Sequence, residues 1–227
     1  MTQSQTSRLT TLLAAIAMSA CATSHAATEA PVTPTAGSHV DPKYVAKARV
    51  DSVRHPYVDA DVEFMSHMIG HHAQAIAMSR WAPTHGASPA VLRLANRIIN
   101  AQQDEIATMQ TWLSDRLKPV PEATPNGIRM TMNGMEHMML MPGMLTPEQM
   151  KELDAARGPE FDRLFLTDMI QHHKGAVSMV KDLFGTYGAG QDETVFKFAS
   201  DVNVDQTTEI ARMEKMLAAI TLGITVE

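Results

Sequence analysis

Two pairs of adjacent histidines, His71-His72 and His172-His173, are the residues whose type and spacing best suit a chemical site. Each pair lies on a stripe of residues spaced four and three apart, the periodicity of a helix face that is buried in a bundle core. The two stripes also carry Met68 and Met169. Because a neutral imidazole is a common metal ligand, both stripes are candidates for one metal site.

Two further segments place polar side chains on a core stripe, Gln102 and Glu105 in one and Gln206 and Glu209 in the other. An unpaired buried polar group costs about 1–3 kcal/mol, so these side chains require partners. One solution is a closed network in which the glutamates accept hydrogen bonds from the histidines. The other is a bound metal, in which a Glu or Gln holds the ring nitrogen that does not bind the ion.

A methionine-rich stretch separates the two halves, with seven methionines and one histidine in residues 130–144. Gly134, Pro142 and Gly143 break any long helix, so many of these thioethers should lie outside the core. Thioether sulfur is soft and favours Cu(I) over Zn(II), Ca(II) and Mg(II). The candidate ligands are Met132, Met135, Met138, Met141 and His137, and His67 could complete a site. The alternative is a flexible apolar lid that uses Met as filler.

The segments that carry these residues occur twice. Residues 61–78 recur at 162–179, an offset of 162 − 61 = 101, and the Gln-Glu segments recur at 206 − 102 = 104. The repeated unit is a helical hairpin, which cannot bury its apolar stripe alone. Packing one hairpin on the other predicts an all-α fold, a four-helix bundle with the methionine-rich connector and a short extra helix between the copies.

Capping residues and helix breakers set the expected boundaries. The bundle domain spans 59–222, with copy one at 59–117, the connector at 118–158 and copy two at 159–222. Ser88-Pro89 should cap the second helix of copy one, and Thr146 to Gln149 forms a capping box for the short helix, expected to end at Gly158. Residues 27–58 are expected to be a flexible linker.

Residues 1–26 are expected to be a signal peptide, since one charge is followed by a short apolar run. Two cleavage sites fit. One follows Ala26, and the other precedes Cys21, which would then be lipidated as in a lipoprotein. Both place the protein outside the cytoplasm, in the periplasm or another extracytoplasmic compartment. The sequence predicts no membrane span in the mature protein, with a lipid anchor at Cys21 as the alternative.

Composition excludes several classes of function. The single cysteine excludes a disulfide framework and a cysteine-based zinc site. The net charge of −6 argues against a nucleic-acid partner. With 5% aromatic residues and 18 methionines, the core is more typical of helices than of sheets.

The duplicated Phe-x-x-x-Met-Ile-x-His-His-x-x-Ala motif, followed by Gln-x-x-Glu-Ile-x-x-Met, resembles the domain-of-unknown-function 305 family. The resemblance covers about residues 59–217 and implies a ferritin-like four-helix bundle in exported bacterial proteins. Some members, the CopM-like proteins, are periplasmic copper binders linked to copper resistance. That implication extends to His71, His72, His172 and His173, and more loosely to Met68 and Met169.

Three functions follow as hypotheses. The first is copper binding as Cu(I) or Cu(II), for tolerance, storage or trafficking, with zinc and iron as other metals and copper efflux or chaperone proteins as partners. Its affinity should fall as pH drops through about 6.5. The second is a metal-free bundle that serves as a structural or interaction module of the envelope, and a homo-oligomer is a further partner hypothesis for the protein. The third is a ferritin-like metalloenzyme, which the sequence disfavours because no Glu is followed three residues later by His.

Overall fold

A computed structural model describes residues 56–132 and 135–224, and the side chains of all of these except residues 128–137. The expected signal peptide, the candidate lipidation site Cys21 and nearly all of the expected linker 27–58 lie outside the described residues. Of the helices within the described ranges, none combines the length and the apolar character needed to cross a bilayer.

In the described ranges the chain forms five α helices and one two-stranded sheet. The helices are α1 (Asp59–Trp81), α2 (Pro89–Asp115), α3 (Pro147–Ala155), α4 (Pro159–Gly185) and α5 (Glu193–Thr221), and the strands are β1 (Ile128–Met132) and β2 (Met135–Met139). Helix α1 packs on α2, α4 packs on α5, and α1 and α4 join the two hairpins. The all-α fold is confirmed, and these contacts are those of a four-helix bundle.

The helix caps agree closely with the residues that the sequence marks. The Ser88 hydroxyl accepts a hydrogen bond from the Val91 N–H at 3.4 Å, and Thr146 and Gln149 form the expected capping box. One boundary differs, because α3 ends at Ala155 rather than at Gly158. Gly158, with a φ of 58°, instead precedes α4, where its backbone N–H donates to the His85 carbonyl at 2.8 Å.

The connector contains a β-hairpin that the sequence analysis did not anticipate. Strands β1 and β2 pair antiparallel, with Arg129 opposite Met138 and Met132 opposite Met135. The Asn133-Gly134 dipeptide between the strands is a strong hairpin signal, since both residues tolerate positive φ. Gly134 therefore favours a turn between strands as well as breaking a helix, and its helix-breaking role alone does not predict β1 and β2.

The two copies of the hairpin exchange hydrogen bonds through their recurring aspartates. In α1, the buried Asp61 accepts from the Gly190 N–H of the α4–α5 loop at 2.7 Å and from the Val58 N–H at 2.9 Å. In α4, Asp162 accepts from the Ser88 N–H of the α1–α2 loop at 3.2 Å through both oxygens. Each copy therefore fixes the loop of the other copy.

A tight turn of the connector packs directly against α4. Pro142 and Gly143 are its central residues, the Met144 N–H donates to the Met141 carbonyl at 3.0 Å, and Gly143 has a φ of 79°. This is the Pro-Gly pattern of a type II turn. A Cβ on Gly175 of α4 would lie 1.9 Å from the Pro142 oxygen, so only glycine permits this approach.

The apolar core has two clusters, and the histidines lie where they meet. Along α1, residues up to Ile69 belong to one cluster and residues from Ala75 to the other. Along α4 the order is reversed, because Ile170 belongs to the second cluster and Ala176 to the first. The histidine pairs fall between these residues, so they form a polar layer across an otherwise apolar bundle.

Candidate metal centre

The four histidines of the duplicated motif are all fully buried, with 0% of each residue exposed. The rings of His71 and His172 are in contact, with centroids 3.8 Å apart and an interplanar angle of 40°. His72 and His173 lie farther out, with centroids 6.3 and 6.2 Å from their sequence neighbours. The helices α1 and α4 thus bring one imidazole from each copy together at the centre of the bundle.

The connector turn determines the tautomer of His71. Its Nε2 lies 3.0 Å from the carbonyl oxygen of Pro142, which can only accept a hydrogen bond. A neutral His71 must therefore carry its proton on Nε2, which leaves the lone pair on Nδ1. Since Gly175 allows the turn to approach, α4 indirectly orients an imidazole of α1.

Carboxylates of α2 and α5 contact the other two histidines. His173 Nε2 donates to Glu209 Oε2 at 2.8 Å, and the other oxygen of Glu209 accepts from Arg97 at 3.1 Å. His72 Nε2 lies 2.8 Å from Glu105 Oε2, without the alignment of a hydrogen bond. The side chains of Glu105 and Glu209 are 19% and 15% exposed, so both lie at the edge of the core rather than inside it, as the stripe had suggested.

Several buried polar atoms at this layer lack a hydrogen-bond partner among the described residues. They are Nδ1 of all four histidines, Nε2 of His72 and His172, both amide atoms of Gln102 and Oε1 of Gln206. A closed histidine–glutamate network would not leave these atoms unpaired. Because each such atom costs about 1–3 kcal/mol, the layer favours an additional partner such as a metal or water.

Burial keeps the central imidazoles neutral. Desolvation, followed by the neighbouring His72, lowers the pKa of His71 to about 3. Desolvation and the adjacent His71 lower the pKa of His172 well below its usual value. For Glu209, burial raises the pKa, but the hydrogen bond from His173 and the charge of Arg97 outweigh it, so its pKa is lowered. Neutral imidazoles can bind a cation without first losing a proton.

The structure places the candidate thioethers in different environments. Met68 and Met169 are fully buried, and each lies three residues before a central histidine on the same helix face. Met138 is 49% exposed on β2, whereas Met141 is only 5% exposed, so this connector sulfur belongs to the core, contrary to expectation. Met132, Met135 and His137 lie on the hairpin, and their side chains are outside the described set.

His67 and His85 lie apart from the central pair. His67 is half-buried beside a cleft that also includes Met141, and desolvation lowers its pKa although Glu63 opposes this. His85 contacts Thr84 at 2.9 Å and the Asp154 carbonyl at 2.9 Å, the role of a structural histidine. Within the described part of the chain, no three His, Cys, Asp or Glu side chains form a ready-made cluster for a metal ion.

Sequence reasoning missed the residues that hold the connector to the bundle. Gln74 is buried, and its amide bonds the Leu145 N–H at 2.7 Å and the carbonyls of Leu145 and Pro125 at 3.1 and 3.0 Å. Its counterpart in the second copy, at 74 + 101 = 175, is Gly175. One connector crosses both helices at equivalent positions, so the repeat is broken there. That departure from the repeat was the available signal.

Comparison with known proteins gives matches over most of the described residues. The family model described as Domain of unknown function (DUF305) matches residues 61–217. Uncharacterized protein L153 of Acanthamoeba polyphaga mimivirus is 39% identical over 56 residues, which make up 25% of this chain and 37% of that protein. The chain therefore covers well under two thirds of this curated relative.

Solved structures extend the match. A DUF305 protein of Streptomyces coelicolor, whose name proposes that it is secreted, has a TM-score of 0.59 and 30% identity, covering 71% of this chain and 92% of that one. The Cu(I)-bound form of CopM has a TM-score of 0.52 and 28% identity, covering 69% of this chain and 94% of that one. Forms of CopM with Cu(II) or with Ag bound are similar to this chain as well.

Proposed function

This chain belongs to the DUF305 family, and on that basis we propose that it binds copper at the histidine layer of its bundle. His71 and His172 would be the central ligands, with Met68 and Met169 as soft donors beside them. The observation that carries the proposal is the set of buried imidazole nitrogens that lack a partner among the described residues. The similarity to CopM, solved with Cu(I), Cu(II) and Ag bound, supports copper as the metal.

The chemistry of the donors favours Cu(I) at the centre. Imidazole is an uncharged ligand and thioether is a soft one, and both suit Cu(I). Zn(II) and Fe(II) are better matched by sites that also contain carboxylates. Cu(I) accepts few ligands, so the contacting pair His71 and His172 could bind it without a ready-made cluster of three. His72 and His173, supported by Glu105 and Glu209, would add nitrogen donors for Cu(II).

Export to the periplasm or another extracytoplasmic compartment remains part of the proposal. The name of the Streptomyces coelicolor relative supports it, together with the signal-like residues 1–26. In such a compartment, thioethers and imidazoles can bind copper without the thiols that oxidising conditions convert to disulfides. A role in copper tolerance, storage or trafficking would follow, with efflux or chaperone proteins as partners.

A Cu(I) competition titration tests the assignment. The full chain is titrated against a chromogenic Cu(I) chelator and compared with the double variant His71→Leu/His172→Leu and with His85→Gln, which alters a histidine outside the layer. The double variant should bind at least about ten-fold more weakly, and His85→Gln should bind as the parent does. Equal affinities for all three proteins would refute the histidine layer as the copper site.

A metal-free envelope bundle is the second candidate, favoured by the lack of a three-residue His, Cys, Asp or Glu cluster in the described ranges. It predicts that neither copper nor a chelator changes the melting temperature. A metal that binds only the folded state must raise that temperature, by an amount that grows with the ratio of free metal to Kd. Melting curves with Cu(I), with chelator and with neither therefore separate the two functions.

A further inference from the structure

A second group of soft donors lies in a cleft away from the histidine layer. The cleft has a volume of about 230 Å³ and lies between α1, α4 and the connector turn. Its lining residues include His67, Met141 and Met179, and the two methionines are 5% and 8% exposed. The cleft is open to solvent, since His67 in its lining is only partly buried, whereas His71 and His172 are fully buried.

The composition of the cleft suits a soft cation. Two carboxylates, Glu63 and Asp182, lie exposed at its edge, and His67 is the sole basic side chain among its described lining residues. Negative charge at the mouth attracts cations of any kind. Thioether and imidazole donors inside then select a soft ion over Ca(II) or Mg(II). Met side chains have three rotatable bonds, so their sulfur atoms can converge on an ion within this small volume.

We propose that this cleft is a second, solvent-open site for a soft monovalent metal ion, Cu(I) or Ag(I), with His67, Met141 and Met179 as its ligands. The identity of the metal rests on the proposed function, whereas the ligand set rests on the cleft alone. His67 lies one helical turn before His71 on α1, and Pro142, which accepts the His71 hydrogen bond, also lines the cleft. The site is therefore placed to pass an ion to the buried pair.

The internal repeat shows that the donor set of the cleft does not recur at the equivalent positions of α1 and α4. The positions equivalent to Glu63, His67 and Asp182, shifted by 101, are Leu164, Asp168 and Trp81. Only the thioether recurs, as Met78, which is fully buried. An imidazole, two rim carboxylates and two thioethers thus meet where α1 of copy one faces α4 of copy two, whereas the equivalent positions retain only one sulfur, in the apolar core. Packing alone does not require this difference.

The test follows the methionine methyl groups by NMR. The full chain, labelled with ¹³C at the Met methyls, is titrated with Ag(I), a redox-inert and diamagnetic substitute for Cu(I). The signals of Met141 and Met179 should shift and saturate. In His67→Gln the same shifts should require at least about ten-fold more Ag(I), because the amide is a harder and weaker donor. Methyl signals that stay unmoved in the parent, or that titrate identically in His67→Gln, would overturn the proposal.

Matched variants keep the result interpretable. Met179→Leu should lower the affinity of the cleft for Ag(I). Met78→Leu, which removes the equivalent thioether of the other copy, should leave that affinity unchanged. Equal weakening by both would count against the site. The His172→Leu variant separates this inference from the proposed function. If only Met68 and Met169 shift in the parent, the cleft proposal fails and the histidine layer stands. If only the cleft signals shift, and they persist in His172→Leu, the cleft stands and the layer fails.

Discussion

His71 donates a hydrogen bond through Nε2 to the carbonyl oxygen of Pro142 at 3.0 Å, which links the methionine-rich connector to the centre of the bundle. The bond leaves Nδ1 of His71 as the nitrogen with a lone pair. It also makes the orientation of this imidazole depend on how closely the connector turn approaches α4. Stability and metal binding should therefore respond together when that approach is blocked.

The substitution Gly175→Ala should block the approach of the connector turn to α4. The added Cβ would lie 1.9 Å from the Pro142 oxygen, so the turn must move away and the His71 bond is lost. We expect the free energy of unfolding to fall by about 1–3 kcal/mol, as in other overpacked cores, and Cu(I) affinity to fall with it. Urea unfolding and Cu(I) competition measure the two effects.

The control is Gly185→Ala in the same helix. A Cβ there meets no atom of the described chain within 4 Å, so no loss of stability or affinity is expected. Because alanine has the higher helix propensity, Gly185→Ala should if anything be slightly stabilising. Similar losses for both glycines would show that the approach of the turn is not responsible.

His172→Leu should separate function from stability. Neither ring nitrogen of His172 has a hydrogen-bond partner in the described structure, so leucine strands no other polar group. We expect the metal-free protein to be as stable as the parent or more stable, by up to about 2 kcal/mol, while Cu(I) affinity falls at least about ten-fold. His173→Leu is the comparison, because it deprives Glu209 of a donor and should destabilise the fold. A clear loss of stability in His172→Leu would contradict the assignment.

Acid should destabilise the metal-free protein through its buried imidazoles, although Asp168, whose pKa burial raises to about 6, offsets part of this loss below about pH 6. The pKa of His71 is lowered from 6.5 to about 3, chiefly by burial, so between these values the unfolded chain binds a proton that the folded chain does not. The free energy of unfolding must then fall as pH drops below about 6.5, by up to about 1.4 kcal/mol per pH unit for each such imidazole. Urea unfolding at about pH 7 and about pH 5 measures the slope.

The His172→Leu variant should show a shallower slope, since the pKa of His172 is lowered as well. The same lowering changes the expectation for copper. Because the central imidazoles are neutral well below pH 6.5, their Cu(I) affinity should stay nearly constant as pH falls through that value. A steep loss of affinity near pH 6.5 would contradict His71 and His172 as the principal ligands.

Glu209→Gln should weaken copper binding through His173. The glutamine keeps the size of the side chain but no longer offers two anionic oxygens to His173 and Arg97. Losing such a supporting hydrogen bond typically lowers metal affinity by about 10–100-fold, and we expect a loss of this size for Cu(II). The control is Glu214→Gln. Glu214 lies on α5 like Glu209, but it forms an exposed ion pair with Lys174 of α4, so its substitution should leave Cu(II) affinity unchanged. If both variants bind Cu(II) as the parent does, Glu209 does not position a ligand.

Much of the bundle could be predicted because its signals are local. The stripe through Phe64, Met68 and His71 repeats along one helix, and Ser88 and Thr146 cap helices by contacts within three residues. The duplication then indicates how the hairpins pair. These features depend only on helical periodicity and on hydrogen bonds between residues that are close in the sequence.

The interior of the candidate site could not be predicted in the same way. That Pro142 accepts from His71, and that Arg97 shares Glu209 with His173, depends on residues 71 and 112 positions apart. Such pairs follow from how the turn and helices pack, which periodicity does not specify. The burial of Met141 is of the same kind, because its sequence neighbours suggested an exposed loop.

The hydrogen bonds of Asp61 and Asp162 to the loop of the opposite copy make the two halves of the duplication depend on each other. A hairpin excised from this chain would retain its aspartate but lose the amide that the aspartate binds. Such a fragment would need to recruit another copy of itself to regain it. Each half of the duplication therefore depends on the other to hold its loop, and an isolated hairpin should be less stable than the joined chain.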